Sequence, residues 1–456
     1  MKPLVRNLCQ SLLLISTFIA LPTHSAINLS QGSQQQQSKS VLFQNVRVFD
    51  GKSSKLSQPV NVLIEGNIIR RIGPNIHAPT QDVYVIDGQN KTLMPGLIDA
   101  HWHTMMAAVP VSTLLMAEVA DLNFLAAKEA NNTLMRGFTS VRDLAGPSFS
   151  LKRAIDGKIV NGPRIWPSGA MISQTGGHGD FRATYDIPSS PNGALSRGEV
   201  VGGGVIADGV DEVRKRTREQ LMLGATQIKL AAGGGVSSHY DPLDVAQYSE
   251  QEFKAAVDAA ENWGTYVSVH AYTPKSIQTA LKGGVKVIEH AQLMDDQTAK
   301  MMADKGAWLS TQAFIDNEFS NPQQGANRLK QQQVEAGTDK SYALAKKYKL
   351  KVSWGTDILF SPALASKQGA ILTTMTRWYQ PEEVLKMATS TNAELLQLSG
   401  ERNPYPGKLG VVEEGALADL LLVNGDPIAD IKLIADPDKN MLVIMKDGQI
   451  YKNTVQ

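Results

Sequence analysis

The chain has 456 residues, of which 42% are hydrophobic and 20% are charged, as in ordinary globular proteins. This composition excludes a disordered or fibrous protein, and the length allows a large barrel together with a smaller domain. Because the chain has 45 basic and 44 acidic residues, no charge excess would draw a nucleic acid or an anionic membrane to its surface, and a small molecule is the expected partner.

The N-terminus has the layout of a cleavable export signal. Lys2 and Arg6 precede an apolar run from Leu12 to Leu21, and small residues follow up to Ala26. The run is about ten residues long, which is too short for a helix to cross a bilayer core of roughly 30 Å. We therefore predict a signal peptide over residues 1–26 and no membrane attachment after cleavage. An uncleaved membrane anchor is the alternative interpretation.

The single cysteine, Cys9, lies inside this predicted signal. The mature chain would then contain no thiol and could form no disulfide, which suits export to a bacterial periplasm. Residues 27–40 follow the predicted signal, and from Ser30 to Ser40 they form a polar tract rich in Gln and Ser with no apolar face to bury. They are predicted as a flexible linker.

Both ends of the remaining chain are typical of short β-strands. Segments rich in β-branched residues, separated by Gly and Asn turns, occur between Val41 and Asp87. The C-terminal part repeats this style, with a hairpin turn from Lys446 to Gln449. We therefore predict one small β-sandwich domain, built from residues 41–92 and 400–456.

The middle of the chain alternates short apolar segments with helical stretches, which is typical of repeated βα units and a parallel sheet. Eight strands are predicted, and eight is the number that closes a (β/α)8 TIM barrel. The fold class is therefore predicted as α/β, with the barrel over residues 93–399. The predicted strands are Leu93 to His103, Thr139 to Gly146, Arg164 to Gly169, Thr226 to Gly233, Tyr266 to Tyr272, Lys286 to Gln292, Trp308 to Gln312 and Val352 to Asp357.

Of the eight histidines, six lie at or just after the carboxyl ends of predicted strands. In a TIM barrel these ends meet at one mouth, so residues far apart in sequence converge there. His101 and His103 are two apart on an extended strand, so both imidazoles face the same way and could hold one metal ion. The other four are His178, His239, His270 and His290.

The first predicted barrel strand carries a motif. The segment from Pro95 to His103 reads Pro-Gly-Leu-Ile-Asp-Ala-His-Trp-His, which resembles the first-strand motif of the amidohydrolase superfamily. The resemblance extends over most of the chain after Val41 and implies a binuclear metal centre in a TIM barrel. By position along the family pattern, the implied metal ligands are His101, His103, Lys229, His270, His290 and Asp357.

The resemblance implies two divalent metal ions, and four imidazoles with carboxylate-type oxygens favour Zn2+. A lysine in a barrel mouth is poorly solvated and close to cations, so its pKa should fall, and Lys229 could react with carbon dioxide to form a carbamate that bridges the metals. The alternative is a lysine that only forms an ion pair. A water bridging the metals would become the nucleophile near neutral pH, with Asp357 as general acid and base.

Two glycine-rich loops follow the third and fourth predicted strands, at Gly176 to Asp180 and Gly233 to Pro242. They resemble loops of an amidohydrolase subgroup that comprises Xaa-Pro and Xaa-Arg dipeptidases and ochratoxin-hydrolysing enzymes. The resemblance implies that His178 is catalytic and binds the substrate carbonyl or its oxyanion, and that Tyr240 holds the substrate. Ordinary loop turns are the alternative. Further candidates for binding the charged ends of a substrate are Arg142, Asp143, Arg182 and His239.

The sequence therefore predicts a hydrolase that cleaves an amide bond of a dipeptide or an N-acyl amino acid. One alternative is an imidazolonepropionase-like or other cyclic-amide hydrolase or deaminase on the same fold, against which Lys229 argues. Another is a metal-binding barrel without catalysis. The side-chain preference, the metal identity and the formation of a homo-oligomer are left open by the sequence.

Overall fold

The computed structural model describes residues 40–78, 82–187 and 193–455. The predicted signal peptide and the predicted linker, except for Ser40, lie outside the described residues. Both therefore stay predictions, as does export. Within the three described ranges, no helix is both long enough and apolar enough to span a bilayer.

Short strands alternate with helices along most of the described chain. The strands are β1 (Ser40–Val48), β2 (Val60–Glu65), β3 (Ile68–Gly73), β4 (Val83–Asp87), β5 (Thr92–Pro95), β6 (Leu97–Trp102), β7 (Phe138–Asp143), β8 (Arg164–Pro167), β9 (Met171–Ser173), β10 (Gly204–Ile206), β11 (Ile228–Ala231), β12 (Val267–Ala271), β13 (Val287–His290), β14 (Trp308–Thr311), β15 (Lys351–Trp354), β16 (Leu420–Val423), β17 (Met441–Lys446) and β18 (Gln449–Asn453). The α-helices are α1 (Val111–Met116), α2 (Val119–Met135), α3 (Phe149–Asp156), α4 (Arg197–Val200), α5 (Val210–Leu223), α6 (Glu250–Glu261), α7 (Pro274–Lys282), α8 (Asp296–Asp304), α9 (Gly325–Lys347), α10 (Pro362–Ala365), α11 (Gln368–Thr373), α12 (Pro381–Lys386), α13 (Asn392–Leu396) and α14 (Pro437–Asn440).

Eight strands from the two ends of the described chain form one hydrogen-bonded sheet. Its order is β18-β17-β16-β5-β1-β2-β3, and β4 pairs with β1 beside this path. Strand β16 pairs antiparallel with both β5 and β17. In this register, Leu421 lies opposite Met94 on one side and Ile444 on the other. Phe43 and Val62, from β1 and β2, are buried in an apolar core shared with the C-terminal strands. The C-terminal strands thus complete a β-domain that begins with β1.

The middle of the chain forms two parallel sheets. One sheet has the strand order β6-β7-β8. The other has the strand order β10-β9-β11-β12-β13-β14-β15. The central strands are buried along their whole length, as expected for a parallel sheet that is covered on both faces. Within the described residues, the ladder is divided between these two sheets and does not run as one closed ring.

A strand is present at each of the eight predicted positions, but the first prediction was wrong in one respect. The segment predicted as one strand from Leu93 to His103 is two strands: β5 runs antiparallel to β16 in the terminal sheet, and β6 pairs with β7. Both pieces are buried, and the Pro95-Gly96 step, a turn signal, marks the break that the prediction overlooked. The prediction also missed β9 and β10, which have three residues each and are too short to show a period.

Backbone hydrogen bonds connect the two parallel sheets. Asp357 N, just after β15, donates to His101 O in β6 at 2.8 Å. Thr226 N, before β11, donates to Pro167 O at the end of β8, also at 2.8 Å. The carboxyl ends of the first and last parallel strands therefore lie side by side.

Helix α6 shows how the connections between strands are built. Ser249 Oγ accepts a hydrogen bond from Glu252 N, and the Glu252 carboxylate accepts one from Ser249 N at 2.8 Å. This capping box fixes the start of the helix. Phe253, Val257 and Ala260, spaced by three or four residues, are buried in the same core as the strands. Helices packed in this way cover the sheet faces and leave the strand ends free to form a site.

Candidate active site

Four histidines from three different strand ends lie together. The ring centroids of His101 and His103 are 5.3 Å apart, and those of His101 and His290 are 5.0 Å apart. His270 lies next to His290, with 4.5 Å between ring centroids. All four side chains are buried. The structure therefore brings together the four histidines that the sequence predicts as metal ligands.

Asp357 lies among these histidines. Its Oδ1 is 3.1 Å from His101 Nε2 and 3.0 Å from His103 Nε2. One ligand atom each from His101, His290 and Asp357 lies within 4.8 Å of the other two, which is close enough to hold a metal ion. The φ angles of Asp357 and His290 are +55° and +77°. Such left-handed conformations are uncommon for residues other than glycine and concentrate at functional sites.

The close approach of β6 and β15 depends on Gly355 and Asp99. A Cβ atom at Gly355 would lie 2.3 Å from His101 N, so a side chain there would push the two strands apart. The Asp99 carboxylate accepts hydrogen bonds from His101 N at 3.0 Å and from Thr356 N at 3.1 Å. These contacts fix the backbone at His101 and next to Asp357.

Side-chain hydrogen bonds to Nδ1 orient two of the imidazoles. His101 Nδ1 lies 3.0 Å from Glu289 Oε2, and His290 Nδ1 lies 2.7 Å from Gln312 Oε1. An imidazole that donates one N–H in this way keeps its other nitrogen free for a metal ion. His101 and His290 are thus oriented to offer Nε2, whereas His270 uses Nε2 on Gly234 O at 3.1 Å and is left with Nδ1.

Burial keeps most of these imidazoles neutral. It lowers the pKa of His103 to about 4 and the pKa of His290 to about 3. For His101, burial also acts to lower the pKa, but the charge of Asp357 and the hydrogen bonds to Asp357 and Glu289 together outweigh it, and the pKa is raised. Burial acts to raise the pKa of Asp357, but the positive charge of His101 and the hydrogen bonds from His101 and His103 together hold that pKa well below its usual range. The neutral imidazoles and the ionised carboxylate are the forms that bind a metal ion.

Lys229 in β11 supports the assignment of a metal centre. Its side chain is buried, and its Nζ has no hydrogen-bond partner among the described residues; the same holds for His103 Nδ1. Burial lowers the pKa of Lys229 to about 8, although the charges of Glu289 and Asp357 act in the opposite direction. An unpartnered buried amine is costly in a packed core. Together with the imidazoles and the carboxylate, it makes a donor set that fits divalent metal ions.

The cluster opens into a cavity of about 600 Å³, a volume that suits a small molecule. Leu114, Leu115 and Phe181 form an apolar part of its wall. Asp180 and Arg182, which also line it, form an ion pair with each other. The cavity therefore offers an apolar wall beside the polar cluster.

The two glycine-rich loops bring three predicted residues to this cavity. The His178 ring stacks on the His270 ring, with centroids 4.0 Å apart and an angle of 23° between the planes. Burial lowers the pKa of His178. His239 and Tyr240 also line the cavity, and Tyr240 is 47% exposed. All three therefore line the same cavity as the histidine cluster.

Two residues predicted to bind the charged ends of a substrate lie outside the cavity wall. Arg142 is fully buried, and its guanidinium donates to Glu289 Oε1 at 2.8 Å and to Ala100 O at 2.6 Å. Asp143 is also buried, which raises its pKa to about 7, and it accepts a hydrogen bond from Thr104 N at 2.7 Å. A charge inside a parallel strand needs such internal partners. Both residues therefore support the segment around His101 and leave no group free for a substrate.

The sequence reasoning missed Glu289 and Gln312. Glu289 contacts His101 and also accepts hydrogen bonds from Arg142 and from Ser268 Oγ, the latter at 2.6 Å. A carboxylate inside an apolar strand, directly before His290, was a usable signal because it needs a buried partner. Gln312 gave no comparable signal, since an amide at a strand end is common.

Known proteins resemble the chain along most of its length. The amidohydrolase family profile matches residues 92–451. Ochratoxinase from Aspergillus niger is 31% identical over 409 residues, which are 86% of this chain and 82% of the relative. A solved prolidase complexed with N-methylphosphonate-L-proline is 32% identical, with a TM-score of 0.83, and the match covers 91% of this chain and 100% of that one. A solved Xaa-Pro dipeptidase with bound methionine is 28% identical, with a TM-score of 0.77 and the same two coverages. On the family match and the strand-end cluster together, this chain belongs to the amidohydrolase family and is a hydrolase.

Proposed function

We propose that the protein hydrolyses the amide bond of a dipeptide or an N-acyl amino acid at a binuclear metal centre. The observation that carries the proposal is the convergence of histidines and a carboxylate at one cavity, around a buried lysine whose Nζ has no hydrogen-bond partner within the described ranges. The prolidase, the Xaa-Pro dipeptidase and the ochratoxinase support the same reaction class. The converging residues are His101, His103, Lys229, His270, His290 and Asp357.

The proposed fold of this centre is a closed (β/α)8 barrel with a small β-domain. The hydrogen bonds from Asp357 to His101 and from Thr226 to Pro167 support closure, because they connect both outer strands of the three-stranded sheet, β6 and β8, to segments next to β15 and β11 of the other sheet. The high similarity to solved amidohydrolases supports it as well. We place the boundary between the two domains at Gly96, where the chain leaves the terminal sheet.

The converging residues would hold two divalent metal ions, and their imidazole and carboxylate donors favour Zn2+. When bound, such ions supply an activated water and polarise the scissile carbonyl. Lys229 would bind as a carbamate: its neutral Nζ forms a C–N bond to carbon dioxide, and one amine proton passes to water. A pKa of about 8 leaves a useful fraction of the amine neutral near physiological pH.

Two side chains of this chain carry the proton and charge movements. Asp357 accepts a proton from the attacking water at a carboxylate oxygen and then donates it to the nitrogen of the leaving amine. His178 donates a hydrogen bond to the carbonyl oxygen of the substrate as negative charge develops there. The products are a carboxylate and a free amine.

The cavity wall sets the proposed substrate preference. Leu114, Leu115 and Phe181 present apolar surface, whereas Arg182 is already paired with Asp180. A substrate with an uncharged apolar acyl group or N-terminal side chain would bury that surface, while a charged one would be left without a partner. Tyr240 and His239 are the proposed polar contacts to the substrate.

An amine-release assay on a panel of Xaa-Pro, Xaa-Phe and Xaa-Arg dipeptides and N-acyl amino acids tests this function. Each leaving residue is combined with acetyl, Leu, Phe, Asp and Arg on the acyl side. Cleavage of one leaving-residue class, fastest with Leu or Phe, is the expected result. A protein that contains metal and cleaves no member of the panel would contradict the proposal.

Export to the periplasm is also proposed, on the sequence of residues 1–26 alone. Expression in a bacterium with a periplasm, followed by N-terminal sequencing of the mature protein, tests it. A mature chain that begins near Ile27 in the periplasmic fraction supports export, and an intact N-terminus in the cytoplasm contradicts it.

A further inference from the structure

Lys330, in helix α9, lies behind the loop that follows β11. Its Nζ donates to three backbone carbonyls of that loop: Ser238 O at 2.9 Å, Asp241 O at 2.8 Å and Gly235 O at 3.2 Å. An ammonium group has three donor hydrogens, so all of them end on one short loop. Among the described residues, Lys330 forms no ion pair with a carboxylate side chain. Its ammonium group therefore binds backbone carbonyl oxygens in place of a carboxylate.

The same loop contacts the His178 imidazole. His178 Nδ1 lies 2.9 Å from Ser238 Oγ and 3.7 Å from Asp241 Oδ2. Asp241 Oδ2 also accepts a hydrogen bond from Gly235 N at 2.7 Å. A Cβ atom at Gly235 would lie 1.9 Å from His178 Nδ1, so the loop backbone itself touches the imidazole. A shift of this loop would move His178.

We propose that Lys330 is a positioning residue of the active site: it binds three carbonyls of the loop and so holds the loop against His178. The ammonium does not touch the substrate. It acts through the loop, which fixes the imidazole on one side and presents Tyr240 to the cavity on the other. The catalytic part of this inference rests on the proposed function, whereas the effect on the loop does not.

The physical basis is the strength of hydrogen bonds to a charged donor. Bonds from an ammonium are roughly twice as strong as bonds between neutral groups. Three such hydrogen bonds fix the backbone of this loop, as the hydrogen bonds between neighbouring strands fix the backbone of a sheet. Without the ammonium, the three carbonyls turn to water and the loop gains access to more open conformations.

The test compares Lys330→Met with Lys340→Met, an exposed lysine on the same helix. The Met side chain keeps most of the apolar stem and removes the charge. For Lys330→Met we expect kcat/KM to fall at least tenfold, with kcat lowered and KM raised together, and with metal content unchanged. We expect Lys330→Arg to recover part of the loss and Lys340→Met to equal the parent. A kcat/KM within twofold of the parent in Lys330→Met overturns the proposal.

Chemical rescue separates positioning from general stability. Lys330→Ala leaves space that n-propylammonium can fill, and we expect this cation to restore kcat/KM at least fivefold with saturation. Tetramethylammonium at the same concentration has no N–H donor and should restore nothing. Equal responses to the two cations overturn the positioning role.

Hydrogen exchange of the amides in residues 233–242 measures the loop without any substrate. We expect exchange at least tenfold faster in Lys330→Met than in Lys340→Met. Unchanged exchange overturns the inference. Faster exchange in a protein that cleaves nothing supports the role of Lys330 in holding the loop and counts only against the proposed function.

Discussion

Lys229 is the residue on which the binuclear mechanism depends. In Lys229→Met the side chain keeps its length but can form no carbamate, so we expect fewer than one metal ion per chain and a fall in kcat/KM of at least about a thousandfold. Metal analysis and amine release on the same preparation measure both effects. Lys275→Met, at an exposed lysine in α7, is the control and should keep both. Full activity in Lys229→Met would rule out a bridging role.

Arg142 and Glu289 form a fully buried ion pair behind His101. Glu289→Gln leaves the guanidinium without its counter-charge, so we expect the free energy of unfolding to fall by about 3–5 kcal/mol. The double variant Arg142→Met, Glu289→Met removes both charges and should recover much of that loss. Urea denaturation of the variants measures this. A double variant that is at least as destabilised as Glu289→Gln would show that the pair does not act as a unit.

At the scale of single residues, the sequence predicted the ligand cluster and missed what supports it. His101, His103 and Asp357 could be predicted because each ends a strand in a pattern that resembles the family. The position of Arg142 could not, since alternation along a buried strand does not tell whether a side chain points to a cavity or to the core. The contacts of Glu289 and Gln312 depend on strands that meet only in the folded chain.

Asn392, at the start of α13, connects β6 and β15. Its side chain accepts a hydrogen bond from Trp354 N at 3.1 Å and donates to Ile98 O at 2.7 Å and Trp354 O at 2.8 Å. In Asn392→Ala three buried backbone groups lose their partners, so we expect the free energy of unfolding to fall by at least about 2 kcal/mol. Thermal and urea unfolding measure the change.

The control is Asn453→Ala, which removes two exposed hydrogen bonds, one to Tyr84 Oη and one from Val455 N, and should cost under about 0.5 kcal/mol. Because β6 and β15 lead to His101 and Asp357, the Asn392 variant should also bind metal less tightly. Equal stabilities of the two variants would show that Asn392 does not connect the strands energetically.

At the scale of elements, strand positions were predicted better than strand boundaries. The eight parallel strands are apolar runs between turn residues, and this pattern survives in a single sequence. The break at Gly96 was missed although Pro95-Gly96 is a turn signal, because local sequence does not show that Thr92–Pro95 and Leu97–Trp102, which are both buried, join different sheets. Only pairing with β16 or with β7 separates them, and pairing partners are not visible in local composition.

Arg164 joins the parallel sheets to the β-domain. Its guanidinium donates to Asp419 Oδ2 at 2.8 Å and Oδ1 at 3.1 Å, and to Asp447 Oδ1 at 2.8 Å. The pair with Asp419 is almost fully buried, so Asp419→Ala should lower the free energy of unfolding by about 3–5 kcal/mol. Urea denaturation followed by tryptophan fluorescence and by circular dichroism measures the loss.

The exposed pair of Lys300 and Asp304 on α8 gives the matched control. Asp304→Ala should change the free energy of unfolding by under about 0.5 kcal/mol, because solvent screens that pair. A similar small change in Asp419→Ala would show that the ion pair does not hold the two parts of the molecule together.

For the whole molecule, the alternation of strands and helices was enough to predict a mixed α/β fold with a β-domain, whereas the prediction of a hydrolase depended on the resemblance of the residues from Pro95 to His103 to the amidohydrolase motif. The β-domain combines strands more than three hundred residues apart, such as β1 and β16 around β5. The two halves could be assigned to one domain only because both consist of short segments rich in β-branched residues. No local signal in the sequence shows which distant strands pair. The substrate depends on the loops over the cavity, whose conformation a sequence pattern does not specify.

Metal removal and return tests the central claim most directly. The purified protein is analysed for metal, dialysed against a chelator until metal-free, assayed for cleavage of its best panel substrate, and assayed again after addition of Zn2+. We predict about two metal ions per chain at the start, loss of cleavage in the metal-free protein and recovery with Zn2+. Undiminished cleavage by metal-free protein would contradict the account.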